Sequence, residues 1–148
     1  MGKWRGMVLC VGTCIWGYGE EVHYFQGRHL IASYDGCDVT ALADVERLKA
    51  VMHEAVVACG AQELGALDYI FEGNGMTMVI MLSESHASIH TYPEYGTCFV
   101  DLFTCGDKCS NEKFDESLRA YLKPTAVNQK VLVRHKGVEE AVMMKETQ

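Results

Sequence analysis

The sequence predicts an α+β fold, a two-layer α/β sandwich in which two helices pack on one sheet in the order β-α-β-β-β-α-β. Three observations predict it. Two segments repeat apolar residues at steps of three and four, the period of a helix with one buried face. Short runs of strand-forming residues lie between turn-forming Gly, Asn and Pro. The chain has 148 residues, 49% of them hydrophobic, which suits one domain with a real core. Two helices cover only one face of such a sheet, so its other face is expected to need a partner.

The elements follow in order. Residues 29–34, HLIASY, read as the first strand. Asp38 or Thr40 can cap the helix that follows, and Leu42, Val45, Leu48, Val51, Met52, Ala55 and Val56 mark its buried face. Gly60 is its expected C-terminal cap. Residues 63–71 form the second strand, and Gly73-Asn74-Gly75 signals a turn because these residues tolerate positive φ. MTMVIML, residues 76–82, is a deeply apolar third strand. Pro93 to Gly96 is a turn, and CFVDLFT, residues 98–104, is the fourth strand. Ser110 or Asn111 starts the second helix, with Phe114, Leu118, Tyr121 and Leu122 inward and Pro124 just beyond its end. KVLVRH, residues 130–135, is the last strand, and the tail from Gly137 has no clear period. No internal sequence repeat is present, although two β-α-β units hint at a structural one.

Composition narrows the function classes. The formal net charge of −7 argues against nucleic acid as a partner. Seven cysteines, an odd number at irregular spacing, argue for a reduced, cytoplasmic setting over a disulfide framework. The Cys10/Cys14 and Cys105/Cys109 pairs have the wrong spacing for zinc. Residues 1–27 read as an N-terminal extension of unknown role, ahead of a single domain over 28–148. The apolar run from Met7 to Gly17 only faintly resembles a secretory signal and is too short to span a bilayer, so no membrane association is expected.

The chemistry concentrates in LSESHASIHTYPE, residues 82–94, directly after the apolar third strand. Buried polar groups are costly unless paired, so this cluster is either a solvated hairpin end or a reactive site. Neither Ser83 nor Ser85 has the flanking glycines of a hydrolase elbow. His86 and His90 are four apart, but Ile89, Thr91 and Tyr92 make the context strand-like, and along a strand their nitrogens lie too far apart for one metal ion.

The run LSESHASIHTYPEYG, followed by DLFTCGD, resembles the short bacterial and archaeal S-adenosylmethionine decarboxylases, pyruvoyl enzymes made as self-cleaving proenzymes. GRHLIASYDGCD at 27–38 and CGA at 59–61 are similar as well, so the resemblance covers roughly residues 27–122. It implies that Ser85 attacks the carbonyl of Glu84. The chain then breaks into a β piece (1–84) and an α piece (85–148), with a pyruvoyl cofactor left at position 85. That group would form a Schiff base with the substrate's α-amine and accept the electrons released with carbon dioxide. By the same resemblance His90 takes the α-proton during processing, Thr77 supports processing where many relatives have serine, and Cys105 is the general acid. Ser83, His86 and Ser88 receive no separate role. Taken one at a time, Ser85, His90 and Cys105 would each read as a structural residue; only their joint spacing inside the motif argues otherwise.

The resemblance also implies a substrate site, a role in polyamine biosynthesis, and a homodimer or higher oligomer whose sites are built from both protomers. Phe71 and Tyr92 match the aromatic residues that hold adenine and the sulfonium, and Glu94 matches the glutamate that binds the ribose hydroxyls. The stretch DYIFEGNGMTM, residues 68–78, departs from the family's F-H-x-F-x-P-x-G-V-S-G and brings in Asp68 and Glu72. These carboxylates are either solvated loop charges or partners for a cationic side chain. The second case would suit an L-arginine or L-ornithine decarboxylase on the same scaffold, the alternative to S-adenosylmethionine. A non-catalytic regulatory homologue is the third reading.

Overall fold

The computed structural model describes residues 26–83, 85–105 and 108–135. Its strands are β1 (Gln26–Asp35), β2 (Glu63–Ile70), β3 (Met76–Leu82), β4 (His86–Tyr92), β5 (Thr97–Cys105) and β6 (Ala126–His135). Its helices are α1 (Val39–Ala43), α2 (Val45–Cys59) and α3 (Asn111–Leu122). The strands form one sheet in the order β2-β3-β4-β5-β1-β6, each antiparallel to its neighbours. The α+β class therefore holds, but the order gains a strand. His86–Tyr92 is β4, where the predicted order counts no element. Its polar residues alternate with Ala87, Ile89 and Thr91, which are buried, so the segment has the period of a half-buried strand.

The helix boundaries follow from local hydrogen bonds. Asp38 caps α1, its carboxylate accepting from the amides of Thr40 and Ala41. The single helix expected over 39–59 is interrupted at Asp44, whose backbone ends α1 and whose side chain caps α2 by accepting from the Arg47 amide. Gly60 closes α2 in the left-handed region, and Ser110 caps α3 by accepting from the Lys113 amide. Gly73 and Asn74 both have positive φ in the β2–β3 turn, where Phe71 donates to the Gly75 carbonyl. Residues 26 and 27 belong to β1, so the domain starts inside the expected 1–27 extension; residues 1–25 and the tail from 136 lie outside the described residues.

Because side chains alternate along a strand, one face of the sheet carries Leu30, Ala32, Tyr34, Met76, Met78, Ile80, Leu82, Ala87, Ile89, Cys98, Val100 and Leu102, all buried. Leu48, Met52, Val56, Phe114 and Leu118 of α2 and α3 pack onto it. Burying each large side chain contributes about 1.5–3 kcal/mol. Two crossovers run over this face: α1–α2 links β1 to β2, and α3 links β5 to β6, strands that the antiparallel pairings make parallel in each case. No helix among the described residues is long and apolar enough to cross a membrane.

One polar network lies inside this layer. The Tyr34 hydroxyl donates to Asp115 on α3, and Asp115 pairs with Arg119 at 2.7 Å. Arg119 also donates to Gln129 of β6 at 2.7 Å. Burial first, and then the Asp115 carboxylate, push the Tyr34 phenol far above its ordinary value, so it remains a donor. Tyr34→Phe is expected to cost about 1–2 kcal/mol. Asp115→Ala, which leaves the buried Tyr34 hydroxyl without its acceptor while Arg119 keeps Gln129, is expected to cost more, about 2–3 kcal/mol. Urea denaturation of the two variants, read by circular dichroism, checks the order.

Candidate active site

Among the described residues, no helix lies over the other face of the sheet. By strand parity it carries Tyr69 of β2, Thr77, Val79 and Met81 of β3, His86, Ser88, His90 and Tyr92 of β4, and Phe99, Asp101, Phe103 and Cys105 of β5. Apart from Glu84, Glu94, Asp68 and the loop residues Ser85, Phe71 and Glu72, this face holds the sites expected from the sequence.

At one end, Thr77 and His90 are direct cross-strand partners, and the Thr77 hydroxyl is hydrogen-bonded to His90 Nδ1. Rings surround this pair. Phe71 stands 5.8 Å from the His90 ring and Tyr92 4.6 Å, while Tyr69 is 4.9 Å from Phe71 and Phe99 is 5.9 Å from Tyr92. Glu94 follows in a one-turn 3-10 segment, Pro93–Tyr95, and is exposed. An aromatic wall around a hydroxyl–imidazole pair and next to a free carboxylate can hold a cationic, partly apolar group.

At the other end lie Ser85 and Cys105. Leu82 and Ser85 exchange both backbone hydrogen bonds, at 3.0 and 3.2 Å, so Ser85 is the first residue after a tight β3–β4 connection. Glu84 lies outside the described residues. His86 pairs with Phe103, which puts half-buried Ser85 and Cys105 at the same sheet end. The structure thus groups Thr77 with His90, and Ser85 with Cys105, but it does not bring the two groups together. His90 is five residues beyond Ser85, about 16 Å along the strand at ~3.3 Å per residue.

Asp68 is corrected. Its cross-strand partner is Met78, so it faces the helix layer, and its carboxylate pairs with Lys49 of α2 at 3.2 Å. That hydrogen bond is the main cause holding the Lys49 ammonium above its ordinary value. Asp68 therefore has a partner already and is on the wrong face for a substrate at His90. Glu72 is exposed in the β2–β3 turn next to Phe71.

Residues not singled out from sequence lie between the two ends. His29 Nε2 is 3.5 Å from Asp101, which also accepts from the Ser88 hydroxyl at 3.3 Å. The His29 and His86 rings pack on Phe103 at 5.5 and 5.9 Å. Alternation along β1 and β5 is the signal that could have found them, since His29, Asp101 and Phe103 share parity with Cys105.

Comparison with known proteins agrees with this geometry. Residues 28–135 match the family described as S-adenosylmethionine decarboxylase. The chain is similar to an S-adenosylmethionine decarboxylase proenzyme of Pelotomaculum thermopropionicum, 43% identical over 82 residues, 55% of this chain and 65% of that one. It thus spans a little under two thirds of that relative's length. A proenzyme of the same name from Brevibacillus brevis is 40% identical over 116 residues, 78% of this chain and 87% of that one. Among solved structures, the adenosylmethionine decarboxylase of Aquifex aeolicus superposes with a TM-score of 0.69 at 29% identity, covering 84% of this chain and 98% of that one. Since the matched region runs from Arg28 in β1 to His135 in β6 and takes in all the strands between, the chain belongs to the S-adenosylmethionine decarboxylase family.

Proposed function

We propose that this chain is a self-processing, pyruvoyl-dependent carboxy-lyase that converts S-adenosylmethionine to its decarboxylated form and carbon dioxide. The observation that carries the reading is Ser85 and Cys105 at one end of an uncovered sheet face whose other end holds the Thr77–His90 pair.

Processing begins when the Ser85 hydroxyl attacks the Glu84 carbonyl, moving the acyl group from nitrogen to oxygen. The His90 imidazole then takes the α-proton of residue 85, and the Glu84 carboxylate leaves. Hydrolysis of the resulting dehydroalanine releases ammonia and leaves the pyruvoyl group. Ser85, at the exit of a tight hairpin and half-buried, fits this group: its backbone is held by two hydrogen bonds, and it lies at the same sheet end as Cys105. Once formed, the pyruvoyl carbonyl supplies an electron sink bound through the substrate's α-amine. Cys105 then delivers a proton from Sγ to the carbon that lost carbon dioxide, one proton gained for each carbon dioxide released. Phe71 and Tyr92 stack on the adenine and sulfonium, and Glu94 accepts hydrogen bonds from the ribose.

His90 cannot reach Ser85 of its own chain along about 16 Å of strand. A second copy laid on the open face about a two-fold axis would bring the partner's His90 and the partner's Thr77 over Ser85 and Cys105. The apolar side chains exposed on that face, among them Tyr69, Val79, Met81 and Phe99, support such a homodimer, because water-exposed apolar patches this extensive mark interfaces. The arginine or ornithine alternative loses its first carboxylate, since Asp68 is paired with Lys49.

Denaturing mass spectrometry should find two chains broken between Glu84 and Ser85, with position 85 lighter than serine, and an intact Ser85→Ala chain. An unbroken wild-type chain would instead favour a non-catalytic homologue. Carbon dioxide release, assayed in parallel on S-adenosylmethionine, arginine and ornithine, is expected from the first alone; release from the amino acids alone would overturn the substrate assignment. Co-expressed Cys105→Ala and His90→Ala chains, each inactive alone, should recover up to about one quarter of wild-type activity, since half the dimers then hold one complete site. No recovery in mixed dimers would sink the shared site.

A further inference from the structure

Arg134 of β6, Gly27 of β1 and Cys105 of β5 lie in one row across the sheet, because Arg134 pairs with Gly27 and Gly27 with Cys105. All three share the parity of the open face. Gly27 is what lets the row close up. A Cβ at position 27 would stand 2.4 and 2.6 Å from Phe103 ring carbons and 3.6 Å from the Cys105 Sγ. The Phe103 ring therefore brings its edge over bare backbone beside the thiol. The Arg134 guanidinium rests on that ring, 4.5 Å from its centroid. His29 and His86 hold the ring from its other sides. Among the described residues no ion pair engages Arg134, while Asp101, the nearest acidic position on the face, is taken up by His29 and Ser88.

A guanidinium stacked on an aromatic ring keeps its planar N–H edge free for a carboxylate. The substrate brings one. An α-amino acid that reacts through its amine carries its carboxylate on the same carbon that Cys105 later protonates. That carboxylate must therefore sit within a few ångströms of the Cys105 thiol, where Arg134 is held. We propose that Arg134 is the carboxylate anchor of the site, a specificity residue that binds the substrate's α-carboxylate through the shelf formed by Phe103 over Gly27. The proposal rests on the decarboxylase reading, with Cys105 at the reacting carbon. It does not depend on the substrate's side chain. Because the carboxylate's charge leaves it as carbon dioxide forms, the ion pair is no stronger in the transition state than in the bound substrate and does not speed the step, so its effect falls on binding.

The test compares ligands that differ only in the carboxylate. In Arg134→Ala protein, KM for S-adenosylmethionine should rise roughly 10- to 100-fold, the range of a lost charge-assisted pair, while kcat changes little. The inhibition constant of decarboxylated S-adenosylmethionine, which has no carboxylate, should stay within about twofold. Arg134→Lys should restore part of the loss, giving charge without the fork. Lys130→Ala, four residues along the same face, should leave KM alone. Complete cleavage at Glu84–Ser85 in each variant reports an intact fold. An unchanged KM in Arg134→Ala overturns the proposal, and so does an equal rise in KM and in the product's inhibition constant, which would make the guanidinium a prop for Phe103. If wild-type protein releases no carbon dioxide, the decarboxylase reading fails separately. Equilibrium binding of the same two compounds then reads Arg134: selective loss of the carboxylate-bearing one supports the anchor, and equal loss removes it.

Discussion

A β-strand sends successive side chains to opposite faces, and the described residues supply this sheet with helices for only one of them. That constraint organises the molecule. α2 and α3 pack on one side of the six-stranded sheet, and the core forms there from residues of one parity in β1, β3, β4 and β5. The opposite parity carries Thr77, His86, Ser88, His90, Tyr92, Asp101, Phe103 and Cys105 together with exposed Val79, Met81 and Phe99. Such a mixture would be poor material for a core, since its polar groups would lose water without enough partners. It suits a surface that a second surface covers while a substrate fills the space between.

The same alternation explains how much could be read from the sequence. Both helical faces, the Gly60 cap and the Gly73–Asn74 turn carry local signals, and the structure has them where the residues point. The break at Asp44 was hidden because apolar residues keep the helical period straight across it, and only the cap geometry reveals two helices. β4 was hidden for the opposite reason. Its outward half is so polar that the segment reads as a cluster, although Ala87, Ile89 and Thr91 are fully inward. In the candidate site, the spacing of Ser85, His90 and Cys105 was legible, and so was the aromatic character at Phe71 and Tyr92. Which way Asp68 points was not. That depends on the β2–β3 register, which shifts between Glu63 and Gly65, and a shift of one residue reverses every side chain. Arg134 was invisible for a related reason: its meaning comes from Gly27 and Phe103, both distant from it in the chain, one by having no side chain and the other by covering the gap.

The helix layer also steadies the Cys105 end of the sheet. β5 leaves the sheet at Cys105, and the chain returns into α3 within a few residues. Thr104, one residue before Cys105, donates to Asn111 at the start of α3 at 3.5 Å, and the Ser110 amide donates to the Cys59 carbonyl at the end of α2 at 2.9 Å. Farther along α3, the Tyr34–Asp115–Arg119 network ties the helix back to β1, and Gln129 ties it to β6. Paired buried charges of this kind add little net stability, but they allow one arrangement of α3 over the sheet and penalise its neighbours. Since β1 and β6 supply Gly27 and Arg134, the network fixes the strands that carry the proposed carboxylate anchor.

Charge is therefore sorted along the open face. Around His90 the wall is aromatic, with Phe71, Tyr69, Tyr92 and Phe99 near one another and Glu94 at its margin. Near Cys105 it carries the Arg134 guanidinium, which rests on Phe103 with the His29 and His86 rings packed against the same side chain. Aromatic faces attract a soft cation such as a sulfonium without requiring a hydrogen-bond partner, whereas a guanidinium or ammonium side chain asks for a carboxylate aimed at it. Of the two carboxylates that the sequence offers for that demand, Asp68 is directed at Lys49 across the sheet from the site, while Glu72 is exposed in the β2–β3 turn. In a dimer the two ends of opposite copies would face each other, one receiving the α-carboxylate and the other the sulfonium and adenosine. A substrate with an anionic head and a soft cationic tail matches that division better than one with a hydrogen-bonding cation at its end, and S-adenosylmethionine is such a molecule.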